Sequence, residues 1–394
     1  MKNLLQLLLV FLCLIINTKG LAQNEKTMYV FGHSLIVHAS PTNETTVPHW
    51  LHHLAKEANN TIAVSGQYGF LPSHDELPPI SQWGFEDVIP AWDSDTENFS
   101  DIGFDTFLIT PANFVQYKPS NENYDGGAND TSPVQSTLTI VDWINNQEPE
   151  AVSYIYENWP DMAGYISYGN TFPPTPQEFE NYNTYTQGDF HDWWIDYHNF
   201  IQDARPSEHV RLIPVGSVMS KLLTQEPLNQ IPILDLYEDD APHGRPTLYF
   251  LASLITYMAI YEQKAPATYS VPNTVHVLLR DNYQSTIDFI WAELLAFNDS
   301  SGDSLVFENN VLNTESFDFK DDITIYPNPT RDYINITASV DNYTIELYDV
   351  KGTKLRITKN DVNDTINISN LPNGIYFLKL NNARFSTIKR IIKY

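Results

Sequence analysis

Apolar positions change their spacing three times along the chain. Residues 4–16 form one apolar run, interrupted only by Gln6. From residue 27 to about 262, short apolar runs of strand length alternate with segments of helical spacing. Beyond residue 320 the pattern turns to the alternation of short strands. The short runs Thr27–Phe31, Thr61–Val64, Phe104–Thr110, Val152–Tyr156 and Val210–Val215 predict five buried strands. Helical spacing predicts helices over Pro48–Ala58, Gln135–Asn146, Phe190–Ala204, Val218–Gln225 and Arg245–Tyr261. Strands alternating with helices indicate an α/β fold around a parallel sheet.

Residues 71–100, 115–132 and 171–189 break this alternation. They are rich in Pro, Asp, Asn, Ser or Tyr and are expected to decorate the rim of the sheet as long loops. Periodicity is lost again over 298–319, which reads as a linker. After it come Ile323–Tyr326, Tyr333–Ile336, Tyr343–Tyr348, Thr365–Ile368 and Ile375–Leu380, all alternating. Turn signals at Val350-Lys351-Gly352 and Leu371-Pro372-Asn373-Gly374 separate some of them. A small all-β sandwich is expected there.

The first apolar run follows Lys2, and small residues end it near Ala22, as in a signal peptide. At 13 residues it is short for a membrane span, which needs about 20. The chain is thus expected to divide into a signal peptide (1–22), a catalytic domain (23–297), a linker (298–319) and a C-terminal domain (320–394). No membrane span is expected in the mature protein. The single cysteine, Cys13, falls in the leader, which leaves no thiol for disulfides, metal or nucleophilic catalysis after cleavage.

Charge sharpens the boundary. Residues 23–317 carry 9 Lys and Arg against 40 Asp and Glu, a balance of −31, whereas 318–394 carry 11 against 9, or +2. An acidic body of this kind repels nucleic acid and anionic membranes. No nucleic-acid partner is expected.

Two short stretches carry candidate chemistry. Ser34 lies in Val30-Phe31-Gly32-His33-Ser34-Leu35, directly after the first strand, where the carboxyl ends of a parallel sheet build sites. Asp240 precedes His243 by three residues in Asp239-Asp240-Ala241-Pro242-His243, just before the Arg245–Tyr261 helix. On one turn, that spacing lets a carboxylate accept the imidazole Nδ1–H and leaves Nε2 free as a base. Asp239 is the alternative orienter. Each piece alone also suits a turn or helix-cap residue.

Candidate substrate contacts are Trp159, after the fourth strand, Trp193 or Trp194 as a sugar-stacking face, and Arg245 beside His243. Packing is the competing role of the tryptophans, and pairing with nearby acids that of Arg245. His49, His53 and Glu57 share a helix face, but the His-Glu-x-x-His order of zinc proteases is absent. A solvated face is the reading taken, so no metal site is expected.

Taken together, Gly32-His33-Ser34-Leu35 and Asp240-x-x-His243 resemble the SGNH (GDSL-like) hydrolases over roughly residues 27–262. The resemblance implies a three-layer, flavodoxin-like fold and a secreted serine esterase. Ser34, His243 and Asp240 would form its triad, with no cofactor. It also implies an oxyanion hole from the backbone N–H groups of Ser34 and Gly66 with the Asn113 side chain. His33 stands where the family has Asp or Asn, and Thr110-Pro111-Ala112-Asn113 where it has Gly-x-Asn-Asp. By analogy the substrate would be an acylated polysaccharide. A lipase-like or general carboxylesterase, or a non-catalytic glycan-binding protein on the same fold, are the alternatives.

The tail carries a second resemblance. Tyr326-Pro327-Asn328-Pro329, Leu347–Gly352, Leu371–Tyr376 and the basic end Lys389–Tyr394 resemble the type A sorting domain of the type IX secretion system of Bacteroidetes. This implies the secretion machinery as a partner and a destination outside the cell or on its surface. All eight tryptophans lie upstream, so the tail lacks the exposed Trp face of a sugar-binding sandwich.

Overall fold

The computed structural model describes residues 24–38, 42–124, 131–163, 172–308, 323–338, 344–349, 353–355, 358–360, 365–381 and 386–394. The leader, residues 309–319 of the linker and the Val350-Lys351-Gly352 turn lie outside them. The chain divides into two compact units, residues 1–311 and 312–394.

Five parallel strands form the sheet of the first unit: β1 Glu25–Gly32, β2 Thr61–Tyr68, β3 Thr106–Ile109, β4 Val152–Tyr156 and β5 Val210–Ile213. Their order, β2-β1-β3-β4-β5, is the flavodoxin-like doubly wound order. Strand alternation sorts side chains onto two faces. Met28, Val30, Leu108, Tyr154 and Tyr156 enter one core. Tyr29, Phe31, Phe107, Ile109 and Ile155 enter the other. Both sides of β1, β3 and β4 are thus apolar, which is why these segments read as continuous runs.

Helices cover both faces. α1 (Val47–Glu57), α5 (Val215–Leu223), α6 (Pro246–Tyr261) and α7 (Tyr283–Ala296) pack on the first core, and α2 (Pro133–Gln147) and α4 (Asp189–Ala204) on the second. Helix α6 is buried from Thr247 to Tyr261, which explains its nearly unbroken apolar sequence. No helix among the described residues is long and apolar enough to cross a membrane.

Two readings of the sequence are corrected. The stretch expected to be a loop over 171–189 contains helix α3, Pro176–Gln187. Its helical signal lies in the cap: Thr175 and Glu178 form a reciprocal capping box with Pro176 in the first turn. Residues 298–308, read as the start of the linker, belong to the first unit. Val306 and Phe307 are buried in its core, and the Leu212 N–H donates to the Leu305 carbonyl at 2.8 Å. A single core pair with no repeat leaves no periodicity to read.

The second unit has two four-stranded antiparallel sheets, one containing Ile323–Tyr326, Tyr333–Ala338, Thr358–Asn360 and Thr365–Asn367. The other contains Thr344–Asp349, Lys354–Leu355, Gly374–Asn381 and Ser386–Lys393. Ile334, Ile336 and Ile366 from the first sheet meet Leu347, Leu378, Leu380 and Ile391 from the second in one core. This is the expected sandwich.

Candidate active site

β1 ends at Gly32, and the chain turns at once, with the Ile36 and Val37 N–H groups donating to the His33 carbonyl. That turn carries Ser34 out at the carboxyl edge of the sheet. The Tyr249 hydroxyl of α6 donates to the Ser34 carbonyl at 2.5 Å and ties the turn to the helix. Burial keeps that phenol far above its ordinary pKa, so it stays protonated and serves as the donor.

His243 reaches the same place from the loop before α6. A short antiparallel pairing of Tyr237 with Gly244 closes this loop, and the Glu238 N–H donates to the His243 carbonyl at 2.7 Å. Across the loop base, Asp239 Oδ1 accepts the N–H groups of Ala241 (3.1 Å) and His243 (2.9 Å). Asp239 Oδ2 lies 2.7 Å from His243 Nδ1. A carboxylate only accepts, so Nδ1 carries the proton and Nε2 is left with its lone pair. The Ser34 Oγ–H then donates to Nε2 over 3.0 Å. Burial opposes the charge on Asp239, but hydrogen bonds from His243 and Ala241 outweigh it and hold the carboxyl below its usual range.

Asp240, the residue favoured on spacing, does not reach the imidazole. Its side chain is exposed and its carbonyl accepts the Met162 N–H at 2.9 Å. A three-residue separation would align the two side chains on a helical turn. Here the backbone is a closed loop, and residues four apart face each other across its base.

Oxyanion candidates fare differently. Asn113 is 7% exposed, and its Nδ2 has no hydrogen-bond partner, which leaves a buried donor available. Gly66 sits within β2 in register with Val30, upstream of the site by on the order of 10 Å. A Cβ there would stand 2.6 Å from the Val30 carbonyl oxygen and 2.9 Å from the Trp83 ring. The lack of a side chain therefore serves close packing of β1, β2 and Trp83 rather than the site.

The tryptophans are also reassigned. Trp159 is 1% exposed; its Nε1–H donates to the Pro242 carbonyl at 2.9 Å, and its ring meets Tyr249 edge-on. It props the His243 loop and has no free face for substrate. Trp193 is buried, stacks on Tyr197 and donates to the Lys118 carbonyl at 2.8 Å, and Trp194 is fully buried. Both lie on the apolar stripe of α4. Arg245 is exposed at the start of α6, two residues past His243.

Three supporting residues escaped the sequence reading. His33 is 1% exposed, and burial lowers its pKa to about 4, so it is neutral. Its Nδ1 accepts the Leu35 N–H at 3.3 Å, which makes Nε2 the donor to the Pro111 carbonyl at 3.2 Å. Asn158, just past β4, donates to the same carbonyl at 2.8 Å and to Thr110 Oγ1 at 3.0 Å. Together they clamp the Ser34 turn to the loop that carries Asn113. The third is His38, whose ring lies against His243. The one sequence signal for this clamp is the departure at His33 from the SGNH pattern.

A doubly wound α/β unit thus brings a serine, a histidine and an aspartate into one hydrogen-bonded row at the carboxyl edge of its sheet. Comparison with known proteins adds the tail. Residues 324–394 match the family model "Secretion system C-terminal sorting domain". That tail marks the chain for sorting by the type IX secretion system, to the outside of the cell or its surface. No curated protein matches the sequence. Among solved structures, a DUF4886 family protein from Bacteroides uniformis aligns at 12% identity, covering 69% of this chain and 95% of its own, with a TM-score of 0.45. A Clostridium thermocellum family 3 carbohydrate esterase aligns at 12% identity, covering 59% and 94%, with a TM-score of 0.31. A Corynascus thermopiles carbohydrate esterase family 2 enzyme with a carbohydrate-binding domain aligns at 12% identity, covering 61% and 67%, with a TM-score of 0.30.

Proposed function

We propose that this chain is an exported serine ester hydrolase of the SGNH type that removes acyl groups from a polysaccharide. The observation that carries the reading is the continuous row Ser34 Oγ, His243 Nε2, His243 Nδ1 and Asp239 Oδ2, with steps of 3.0 and 2.7 Å. Such a row has no need to be kept at a sheet edge for stability, and it matches the demands of acyl transfer.

Ser34 Oγ attacks the ester carbonyl carbon while its proton passes to His243 Nε2. Asp239 fixes the tautomer and stabilises the imidazolium. The negative oxygen of the tetrahedral intermediate takes the buried Asn113 Nδ2–H and the Ser34 N–H as donors; one such donor is worth about 3 kcal/mol. Collapse breaks the bond to the alcohol, which leaves with the proton from His243. Water then repeats the sequence on the acyl-enzyme and frees the acid and Ser34.

The intact row favours this over a non-catalytic glycan-binding protein. A fluorophosphonate probe tests it. Wild type should be labelled and should hydrolyse p-nitrophenyl acetate, and Ser34→Ala should do neither. A folded wild type that takes no label sinks the enzyme reading. Cleavage of long-chain esters with no acetate released from acetylated polysaccharide would move the assignment to a lipase-like carboxylesterase.

A further inference from the structure

Contiguous exposed apolar patches mark interaction sites, and Tyr68, Phe70 and Phe114 form a chain of ring contacts that reaches His33, the neighbour of Ser34, with Tyr117 sharing a groove with Phe114. Tyr68 closes β2 opposite Gly32, and Phe70 follows two residues later, its ring 5.5 Å from the ring of His33, the neighbour of Ser34. Phe114 follows Asn113 and meets Phe70 edge-on with centroids 5.5 Å apart, while Tyr68 and Phe70 are 6.5 Å apart. Tyr68, Phe70, Phe114 and Tyr117 are 48, 38, 51 and 67% exposed. The ridge continues into an open groove of about 330 Å³, whose walls include Asn113, Phe114, Gln116, Tyr117 and Asp161.

This juxtaposition narrows the ligand. The exposed rings offer apolar surface, and the groove that continues from Phe114 is edged by the amides of Asn113 and Gln116 and the carboxylate of Asp161. A ligand that suits both has alternating apolar faces and hydroxyl edges. An acyl chain would instead call for an enclosed apolar channel. Charge narrows it again: residues 23–317 carry −31, and Asp161 stands in the groove itself. An anionic chain is repelled.

We propose that the Tyr68–Phe70–Phe114 ridge and its groove form a binding subsite for an uncharged polysaccharide, whose sugar rings stack on the aromatic faces and present an acylated hydroxyl to Ser34. This rests on the esterase reading only for its orientation toward Ser34; binding itself requires no catalysis. Asn113 joins the two parts, since it lines the groove and offers its amide to the reacting carbonyl.

The test uses the full chain with Phe114→Ala, Phe114→Trp and Tyr68→Ala/Phe114→Ala. Three readouts are taken: acetate release from acetylated glucomannan, hydrolysis of ethyl acetate by pH-stat, and retention of each protein in its Ser34→Ala form on a gel containing deacetylated glucomannan. The alanine variants should lose at least tenfold in kcat/KM on glucomannan and lose their retention, with ethyl acetate turnover within twofold of wild type. Phe114→Trp should keep both glucomannan readouts. Equal glucomannan turnover and retention in all variants overturns the subsite and leaves the esterase standing. Retention that depends on the ridge in a chain that cleaves no ester overturns the esterase and leaves the subsite. With p-nitrophenyl palmitate hydrolysis followed beside these three, loss of that long-chain turnover in the alanine variants with glucomannan turnover and retention unchanged overturns the polysaccharide assignment.

Discussion

The imidazole of His38 lies flat on that of His243, with centroids 4.1 Å apart and planes 11° from parallel. Its Nε2 is also 3.3 Å from Glu238 Oε2, so the stacked ring is held from its far edge. Burial, and then the field of His243, keep the His38 pKa below its ordinary value. Near neutral pH it therefore acts as a flat uncharged plate that limits the swing of the His243 ring. An aromatic stack of this kind is worth about 1 kcal/mol. His38→Ala should lower kcat/KM on p-nitrophenyl acetate about fivefold, while His38→Phe, which keeps the plate, should stay within twofold. Equal losses in both variants would assign His38 a polar role instead.

Asp239 and Asp240 separate cleanly by substitution. Removing the carboxylate that holds the histidine tautomer costs roughly 10⁴-fold in kcat in a serine protease triad. Asp239→Asn should lose roughly 10³-fold or more in kcat with the fold intact by circular dichroism. Asp240→Asn, whose side chain faces solvent, should lose less than threefold. The reverse order of effects would restore Asp240 as the orienter.

Glu157 and His191 form a pair buried at the start of α5. The His191 Nδ1–H donates to Glu157 Oε2 at 2.8 Å, and the Ser217 N–H donates to Oε1 at 2.8 Å. Burial lowers the His191 pKa, but the charge and hydrogen bond of Glu157 outweigh it, and the net shift is upward. A raised folded pKa means that the ion pair stabilises fully below about pH 6.5, the unfolded value. The contribution then fades as pH rises through the folded value. His191→Gln should cost about 3 kcal/mol at pH 5.5, shrinking to about 1 kcal/mol at pH 9, where only a neutral hydrogen bond is lost. Urea unfolding followed by tryptophan fluorescence checks this, since all eight tryptophans report on the first unit. A difference that grows with pH contradicts the assignment.

Gly66→Ala should act on stability rather than on chemistry. Its Cβ would meet backbone, which cannot rotate away, and overpacking of this kind costs roughly 1–3 kcal/mol. Specific activity per fluorophosphonate-labelled molecule should stay within twofold. A large drop in kcat at unchanged stability would return Gly66 to the oxyanion hole.

What the sequence by itself determined is what repeats at short range. Every strand of the parallel sheet was legible because each is a bounded apolar run, and the sandwich because period-2 alternation persists through the tail. Ser34 and His243 were legible because each sits at a punctuated position, one just after a strand and the other just before a long apolar helix. Tertiary structure alone decided which aspartate faces His243, since closed-loop geometry replaces helical spacing there. It alone turned Trp159 and Trp193 inward and left Tyr68, Phe70 and Phe114 outside, because composition records that a ring is apolar but not which side of the sheet edge it occupies. The neutral His33 clamp belongs to the same class. A pKa of about 4 comes from the walls around the ring, and those walls are built by residues up to 125 positions away.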